Sequence, residues 1–395
     1  MKSLLAAYVF LVAGVARLSL LAAETAVAPT SDPVAGVEWT EVFTSGQEGF
    51  HTYRIPSLIV GKGGTVLAFA EGRAARGDQS DNKIVLKRSA DGGRTWKTLQ
   101  LIADGGKRSL NNPCAMVEQG SGRIFLVYQS YPEGVREKAK DFPTGLEGDR
   151  ILRNWILHSD DEGKTWSAPR DITRTTKRPT GVTTLASGPG VGIQLRHGPH
   201  AGRLIVPFNE GPYGKWNVYA IFSDDRGETW QLGEPTAASY AGTVNEVQMV
   251  ELSDGSVRFN ARGWGKSPLR RTALSKDGGR TWSDVRDVPE LREPSCMASI
   301  VRYSGATNDA KSRLLYSGPI GGGRTNGTVF VSYDEGETWP AKKTLVPGKF
   351  AYSVLTVLPD GTIGCLFERG EKDPYERITL ARFTLDWLTD GKDRH

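Results

Sequence analysis

An eight-residue pattern, Ser-x-Asp-x-Gly-x-Thr-Trp, stands at five places in the chain, about 50 to 70 residues apart. The copies run Ser89–Trp96, Ser159–Trp166, Ser223–Trp230, Ser275–Trp282 and Ser332–Trp339. A repeat of that period marks an array of similar supersecondary units and sets the architecture. Within each copy the residue types describe a turn. Ser and Asp oxygens accept from nearby backbone amides, and Gly takes the positive φ where the chain folds back. Thr re-enters a strand, and Trp is expected to anchor the turn against its own sheet. β-rich runs lead into the copies, among them Lys83–Arg88, Trp155–His158, Val218–Phe222 and Thr328–Val331. Asp-x-Asp-x-Gly fragments resemble calcium loops, but such a loop is longer, oxygen-rich and ends in a bidentate Glu, which no copy has. The boxes are architecture.

Strand, box and strand, repeated at about a four-strand length, describe an all-β chain folded as a β-propeller. The five boxes mark five blades. Strands around Tyr352–Leu358, Thr362–Glu368 and Ile378–Phe383 make most of a sixth, and Glu38–Phe43 is expected to complete a six-bladed ring. With 395 residues, 47 Gly, 10 Trp and no long amphipathic helical stretch, one large domain over 37–388 is expected. Lys2 followed by the apolar run Leu4–Val15, with small residues near Ala22-Ala23 and Ala26-Val-Ala28, predicts a signal peptide over 1–23. Arg17 interrupts the apolar stretch, which argues against stable membrane insertion. The expected location is secreted or periplasmic. Residues 24–36 are expected to form a flexible leader and 389–395 a solvated polar tail.

The net charge of +5 comes from scattered Lys and Arg, so nucleic acid is a poor partner and an anionic small substrate a better one. Cys114, Cys296 and Cys365 are odd in number and far apart, which predicts buried, inert thiols and no disulfide framework. His197-Gly-Pro-His200 lacks a third ligand, so no metal site is read there. Gly188–Gly192 and Gly321–Gly323 lack the Lys-Ser/Thr ending of a phosphate loop.

Tyr53-Arg54-Ile55-Pro56 precedes the first box. This motif and the five boxes together resemble the exo-α-sialidases of bacteria and animals, glycoside hydrolases of the family 33 type, over roughly residues 38 to 385. Phe often stands where Tyr53 is. The resemblance implies a sialidase-like propeller acting on a sugar with a carboxylate on its anomeric carbon. Planar guanidinium forks suit such an anion, since they bind it bidentately and keep their charge. The resemblance places three of them at Arg54, at Arg262 in Phe259-Asn-Ala-Arg262-Gly, and at Arg324 in Gly321-Gly-Gly-Arg324-Thr.

Sialidases use a Tyr nucleophile where other retaining glycosidases use a carboxylate, which here would meet the substrate's own negative charge. Tyr352, in Phe350-Ala-Tyr352-Ser, matches that nucleophile. A phenol with pKa near ~10 needs a base beside it, and Glu246 matches the family's partner. Glu246 precedes Arg262 by 16 residues, as in bacterial members. Asp78, in Glu71-Gly-Arg73-Ala-Ala-Arg-Gly-Asp78, matches the acid/base in a mobile loop, with Asp81 as competitor. That role calls for a pKa raised toward working pH by partial burial and substrate binding. Arg73 matches an additional pocket arginine. Glu368 matches a Glu that pairs with the first arginine, and it follows Tyr352 by 16 residues.

The expectation is thus a retaining exo-sialidase acting on sialylated glycans, monomeric and without a cofactor. Trans-sialylation, anhydro-sugar formation or action on a deaminated sialic acid would use the same scaffold. A non-catalytic sugar-binding propeller would carry the boxes without needing Tyr352 and Glu246.

Overall fold

The computed structural model describes residues 34–265, 267–304 and 311–393. The segment read as a signal peptide and most of the leader lie outside the described residues. Regular structure is almost wholly β, with single-turn α-helices at Thr173–Thr176 and Leu385–Leu388. Strands such as Val66–Arg73, Ile124–Tyr131 and Leu204–Gly211 are buried at every position. They are covered on both faces, so their sequences run continuously apolar at the centre instead of alternating.

The first sheet holds Thr52–Val60, Val66–Arg73, Lys83–Ser89 and Gln100–Ala103 in sequential order. The second is built around Ser109–Val117, Ile124–Tyr131 and Arg153–Ser159, and the third around Thr184–Ser187, Leu204–Gly211 and Asn217–Ser223. The fourth holds Val244–Glu251, Val257–Gly263, Leu269–Ser275 and Arg286–Arg292. The last sheet has seven strands and consists of two meanders sharing the 17-residue strand Ala341–Val357. The first half of that strand pairs with Thr325–Ser332 and the second half with Ile363–Gly370. At the far edge Glu38–Thr44 pairs with Arg377–Phe383, so the first described strand joins the last.

Apolar side chains between neighbouring sheets make a circuit. Leu67 and Phe69 of the first sheet pack with Leu126 and Leu157 of the second. Val127 and Ile156 of the second meet Val206 and Tyr219 of the third. Ile205 and Phe222 continue to Val247 and Phe259 of the fourth. Val250 continues to Leu314 and Phe330, and Val329 and Val331 to Phe367 and Ala381. Leu366 and Leu380 then return to Leu58 and Val66 of the first sheet.

All five boxes form one hydrogen-bonded turn. The Asp Oδ1 accepts the Thr backbone N–H at 2.9 Å in every copy. Its Oδ2 accepts the Thr hydroxyl at 2.6 Å, again in every copy. In the second and third copies the Trp does more than anchor its own sheet. Trp166 packs edge-on against Phe69 of the preceding sheet, and Trp230 against Phe125 of its own predecessor. The glycine of the third box approaches the same neighbour: a Cβ on Gly227, at φ +91°, would lie 2.2 Å from Phe125 Cζ. Trp282 and Trp339 pack against Phe259 and Tyr316 of their own sheets, as expected, whereas Trp166 and Trp230 clasp the preceding sheet, a correction to the expectation for those two turns.

Both predicted flanks are also shorter than expected. Ala35, at the end of the leader, accepts the Trp387 indole N–H at 2.9 Å. In the tail, Asp393 is buried and takes Arg313 through two bonds of 2.8 and 2.6 Å. Residues 34–36 and 389–393 are therefore docked on the domain.

Candidate active site

The first strands of successive meanders lie side by side: Ala115 N–H donates to Ser57 Oγ at 3.2 Å, and Leu355 N–H to Ser299 Oγ at 3.0 Å. Four of these strands carry the same β-bulge, with two residues set opposite one. Ile55-Pro56 faces Ala70, Asn112-Pro113 faces Tyr128, Asn245-Glu246 faces Arg262, and Ala351-Tyr352 faces Glu368. A bulge bends its strand and re-aims side chains, and bulges concentrate beside active sites. Ile55, a β-branched residue, sits at φ +60°, a strained backbone position held by its surroundings. The bulges also account for the two 16-residue separations, since Glu246 and Arg262, like Tyr352 and Glu368, stand opposite each other on paired strands.

A cleft of about 300 Å³ opens at these bulges, lined by Arg54, Arg73, Asp78, Glu246, Arg262, Arg324 and Tyr352 among others. Glu368 lies beneath it, fully buried. Its carboxylate accepts Arg54 Nε at 2.8 Å and Nη2 at 3.2 Å, the Ile55 N–H at 2.9 Å and the Tyr352 N–H at 3.2 Å. Burial alone would pull the Arg54 guanidinium down, but Glu368 more than offsets it and the group stays charged.

Arg262 donates to Glu246 Oε2 at 2.9 Å and holds Ser295 Oγ through Nε at 3.1 Å and Nη2 at 2.8 Å. Arg324 donates to the Tyr375 hydroxyl at 2.7 Å and the Ser295 carbonyl at 3.0 Å. The guanidiniums of Arg54 and Arg324 lie 4.9 and 5.1 Å from the Tyr352 ring centroid. Three permanent cations thus converge around one phenol. The Tyr352 hydroxyl donates to Glu246 Oε1. Burial, reinforced by the Glu246 charge, pushes the phenol well above its ordinary pKa against the pull of the arginines, so it rests protonated.

Asp78 stands at the rim, its side chain 66% exposed, 2.9 Å from Arg73 Nη1 and 3.7 Å from Arg54 Nη1. Burial pushes its carboxyl up, but Arg73 and then Arg54 outweigh that and hold it below the ordinary carboxylate range. Partial burial without substrate therefore does not raise it. Asp81 does not line the cleft. Arg73 is 1% exposed, and it donates to Glu71 Oε2 at 2.8 Å and Asp78 Oδ1 at 2.9 Å. Those bonds turn it toward the loop that carries Asp78.

Several residues in or beside the cleft have no counterpart in the sequence reading. Tyr375 stacks 3.9 Å from the Arg54 guanidinium and belongs to no repeated pattern. Ser295 joins Arg262 to Arg324 from an irregular segment. Glu137, on the excursion after Ile124–Tyr131, is driven by burial, with Asp78 and Glu246 adding, up to about 8. Asn111-Asn112-Pro113 repeats the spacing of Arg54-Ile55-Pro56 at the equivalent bulge, a signal that the sequence did contain. The three cysteines are buried, and burial pushes the Cys296 and Cys365 thiols up to about 12.

Residues 64–365 match the model of the BNR repeat-like domain family. The chain is 35% identical over 390 residues to a sialidase of Micromonospora viridifaciens, covering 94% of this chain and 59% of that protein's length. It is 32% identical over 371 residues to Sialidase-2 of Cricetulus griseus, covering 86% of this chain and 94% of the relative. Among solved structures, the Hadza microbial sialidase Hz136 superposes with a TM-score of 0.78 at 27% identity, over 89% of this chain and 69% of that one. Shared boxes, shared fold and similarity across nearly the whole described chain agree: the protein belongs to the sialidase family of glycoside hydrolases.

Proposed function

We propose that this chain is an exo-α-sialidase that releases terminal sialic acid with retention, on a six-bladed β-propeller. The circuit of apolar packing that returns from the last meander to the first sheet supports the six-bladed reading. The observation that carries the activity is the hydrogen bond from the Tyr352 hydroxyl to Glu246, set among three guanidiniums.

In this reading Arg54, Arg262 and Arg324 bind the carboxylate on the anomeric carbon, C2, and so set C2 against the Tyr352 oxygen. The substrate carboxylate also partly neutralises the arginines that hold Asp78 ionised, so the Asp78 carboxyl moves up and takes a proton. Asp78 gives that proton to the aglycone oxygen as the C2–O bond breaks. Tyr352 attacks C2 and passes its own proton to Glu246, and Arg262 stabilises the Glu246 side chain through this transfer. Water then attacks C2 from the vacated face and loses a proton to Asp78, while the Tyr352 oxygen leaves and recovers its proton from Glu246. Two displacements at C2 give net retention.

The test is NMR of sialyllactose with the purified protein. The α-anomer of free sialic acid should form first and then mutarotate. Release of the β-anomer first would refute retention, and absence of any released sialic acid derivative would refute the activity.

A further inference from the structure

The connection between the paired strands Val66–Arg73 and Lys83–Ser89 carries Asp78 and reads Ala-Ala-Arg-Gly-Asp78-Gln-Ser-Asp-Asn82. It holds no large apolar side chain that could pack it in place, so its shape must come from hydrogen bonds. Those bonds converge on Glu71, a fully buried carboxylate near the end of the preceding strand. Glu71 Oε2 accepts Arg73 Nε at 2.8 Å, Arg73 Nη2 at 2.6 Å and Asn82 Nδ2 at 3.2 Å. Its Oε1 accepts from the second sheet, taking the Asn112 N–H at 2.7 Å and Asn111 Nδ2 at 3.2 Å.

Each side chain that Glu71 holds reaches on to the loop. Arg73 Nη1 donates to the carbonyls of Arg76 and Gly77, both at 3.3 Å, and to Asp78 Oδ1 at 2.9 Å. Asn82 Nδ2 and Asn111 Nδ2 each donate to the Asp78 carbonyl at 2.6 Å. Both amide orientations are fixed by their partners. Asn111 Nδ2 faces two acceptors, and Asn82 does the same while its Oδ1 accepts the Ser80 N–H at 3.3 Å.

Neither Glu71 nor Asn82 lines the cleft. Buried charge that merely filled space could give way to apolar side chains of similar volume, whereas a fully partnered buried network rigidifies what it holds. Here every arm ends on the turn that bears Asp78. We propose that Glu71, acting through Arg73, Asn82 and Asn111, is a positioning residue for the acid. This rests on the sialidase reading, in which Asp78 gives its proton to the aglycone oxygen as the C2–O bond breaks. The Asp78 side chain is 66% exposed, so a fixed main chain is what keeps its carboxyl over the cleft. Glu71→Gln would set an amide donor against the donors that the carboxylate now accepts, and the loop would lose its anchor.

The leaving group separates this role from a part in folding. Lactose departs as an alkoxide unless its oxygen is protonated, whereas nitrophenolate leaves without a proton. Both sialosides bring the same sialosyl group, so damage to the arginines or to Tyr352 lowers kcat/KM for both alike. Misplacement of Asp78 lowers it for sialyllactose alone. kcat/KM extends only to formation of the covalent intermediate, so the later role of Asp78 as base does not enter.

The experiment measures kcat/KM for sialyllactose and for nitrophenyl sialoside in wild type, Glu71→Gln and Asn82→Ala. General acid catalysis is worth roughly 10²–10⁴-fold, so an acid present but displaced should lower the sialyllactose-to-nitrophenyl ratio at least about 10-fold in Glu71→Gln. Loss of one hydrogen bond should lower it at least about threefold in Asn82→Ala, which keeps the Glu71–Arg73 pair and carries the test if Glu71→Gln does not fold. Glu118 is another buried carboxylate, outside the cleft, that accepts the Gly120 and Ser121 N–H groups at 2.9 and 2.7 Å. Glu118→Gln should leave the ratio unchanged. Equal loss of both activities, or loss of neither, in either folded variant overturns the proposal, as does a ratio that falls as far in Glu118→Gln. Release of sialic acid from neither substrate by the wild-type protein overturns the sialidase reading itself.

Discussion

Glu368→Gln removes one negative charge and almost no volume, and it acts on two parts of the site at once. The two carboxylate oxygens divide four N–H donors: Oε1 takes Arg54 Nε and the Ile55 N–H, and Oε2 takes Arg54 Nη2 and the Tyr352 N–H. A glutamine presents an NH2 in place of one oxygen, so either orientation sets donor against two donors. Arg54, only 7% exposed at its side chain, also loses its buried counter-charge. Removing one partner of a buried ion pair costs about 3–5 kcal/mol. With an unfolding entropy of about 2.1 cal/mol/K per residue over roughly 350 residues, Tm should fall by about 4–7 °C. Arg54 and the Tyr352 backbone would both lose their fixed positions, so kcat/KM for a sialoside should drop about 100-fold or more. The assay pairs differential scanning fluorimetry with steady-state kinetics. Glu133→Gln, which removes an exposed ion pair to Lys107, serves as a control expected to change neither. A Glu368→Gln protein that melts within about 1 °C of wild type and keeps kcat/KM within about threefold would refute the reasoning.

Three further outcomes follow from the geometry. Because Arg73 and Arg54 hold Asp78 below the ordinary range in the free site, the alkaline limb of kcat should lie at higher pH than that of kcat/KM; coincident limbs would remove substrate-induced protonation of Asp78. Hydrogen bonding from Thr165 lowers Asp161 to about 2, and bonding from Arg313 lowers Asp393 to about 2. Folded values below the unfolded value of about 3.9 give stability that is present above pH ~4 and lost as pH falls toward ~2, so Tm should decline over that window. Gly227→Ala would force a Cβ to 2.2 Å from Phe125 at φ +91°, and should lower Tm while leaving KM within twofold, since the box is remote from the cleft.

The repeated turns were legible because their chemistry is local: Ser, Asp, Gly and Thr bond within one loop, and the same residues recur wherever that loop recurs. Their Trp was only half legible. Its size signals burial, but which sheet it meets depends on how units stack. Trp166 against Phe69 joins positions 97 residues apart in sequence. The resemblance pointed to Arg54, Asp78, Glu246, Arg262, Arg324, Tyr352 and Glu368, all of which lie in or directly beneath one cleft. It did not reveal why Glu246 and Tyr352 keep their distances from Arg262 and Glu368; the paired bulges do. Arg73 lines the same cleft, but that its bonds run to Glu71 and Asp78 was not legible from its type. Tyr375, Asn82 and Asn111 were not singled out, since each is an ordinary residue in strand or loop until tertiary packing sets it beside its partners. The docked tail was hidden for the same reason: a polar segment looks solvated until Arg313 is placed opposite Asp393.

The central claim is that Tyr352 is the nucleophile, and trapping the intermediate tests it most directly. The protein would be incubated with a 3-fluoro sialosyl fluoride, quenched in acid, digested and examined by mass spectrometry. The account predicts a sialosyl adduct on the Tyr352 residue itself, absent from a Tyr352→Phe variant that still binds free sialic acid. An adduct on Glu246, or turnover of sialyllactose by Tyr352→Phe at close to the wild-type rate, would contradict it.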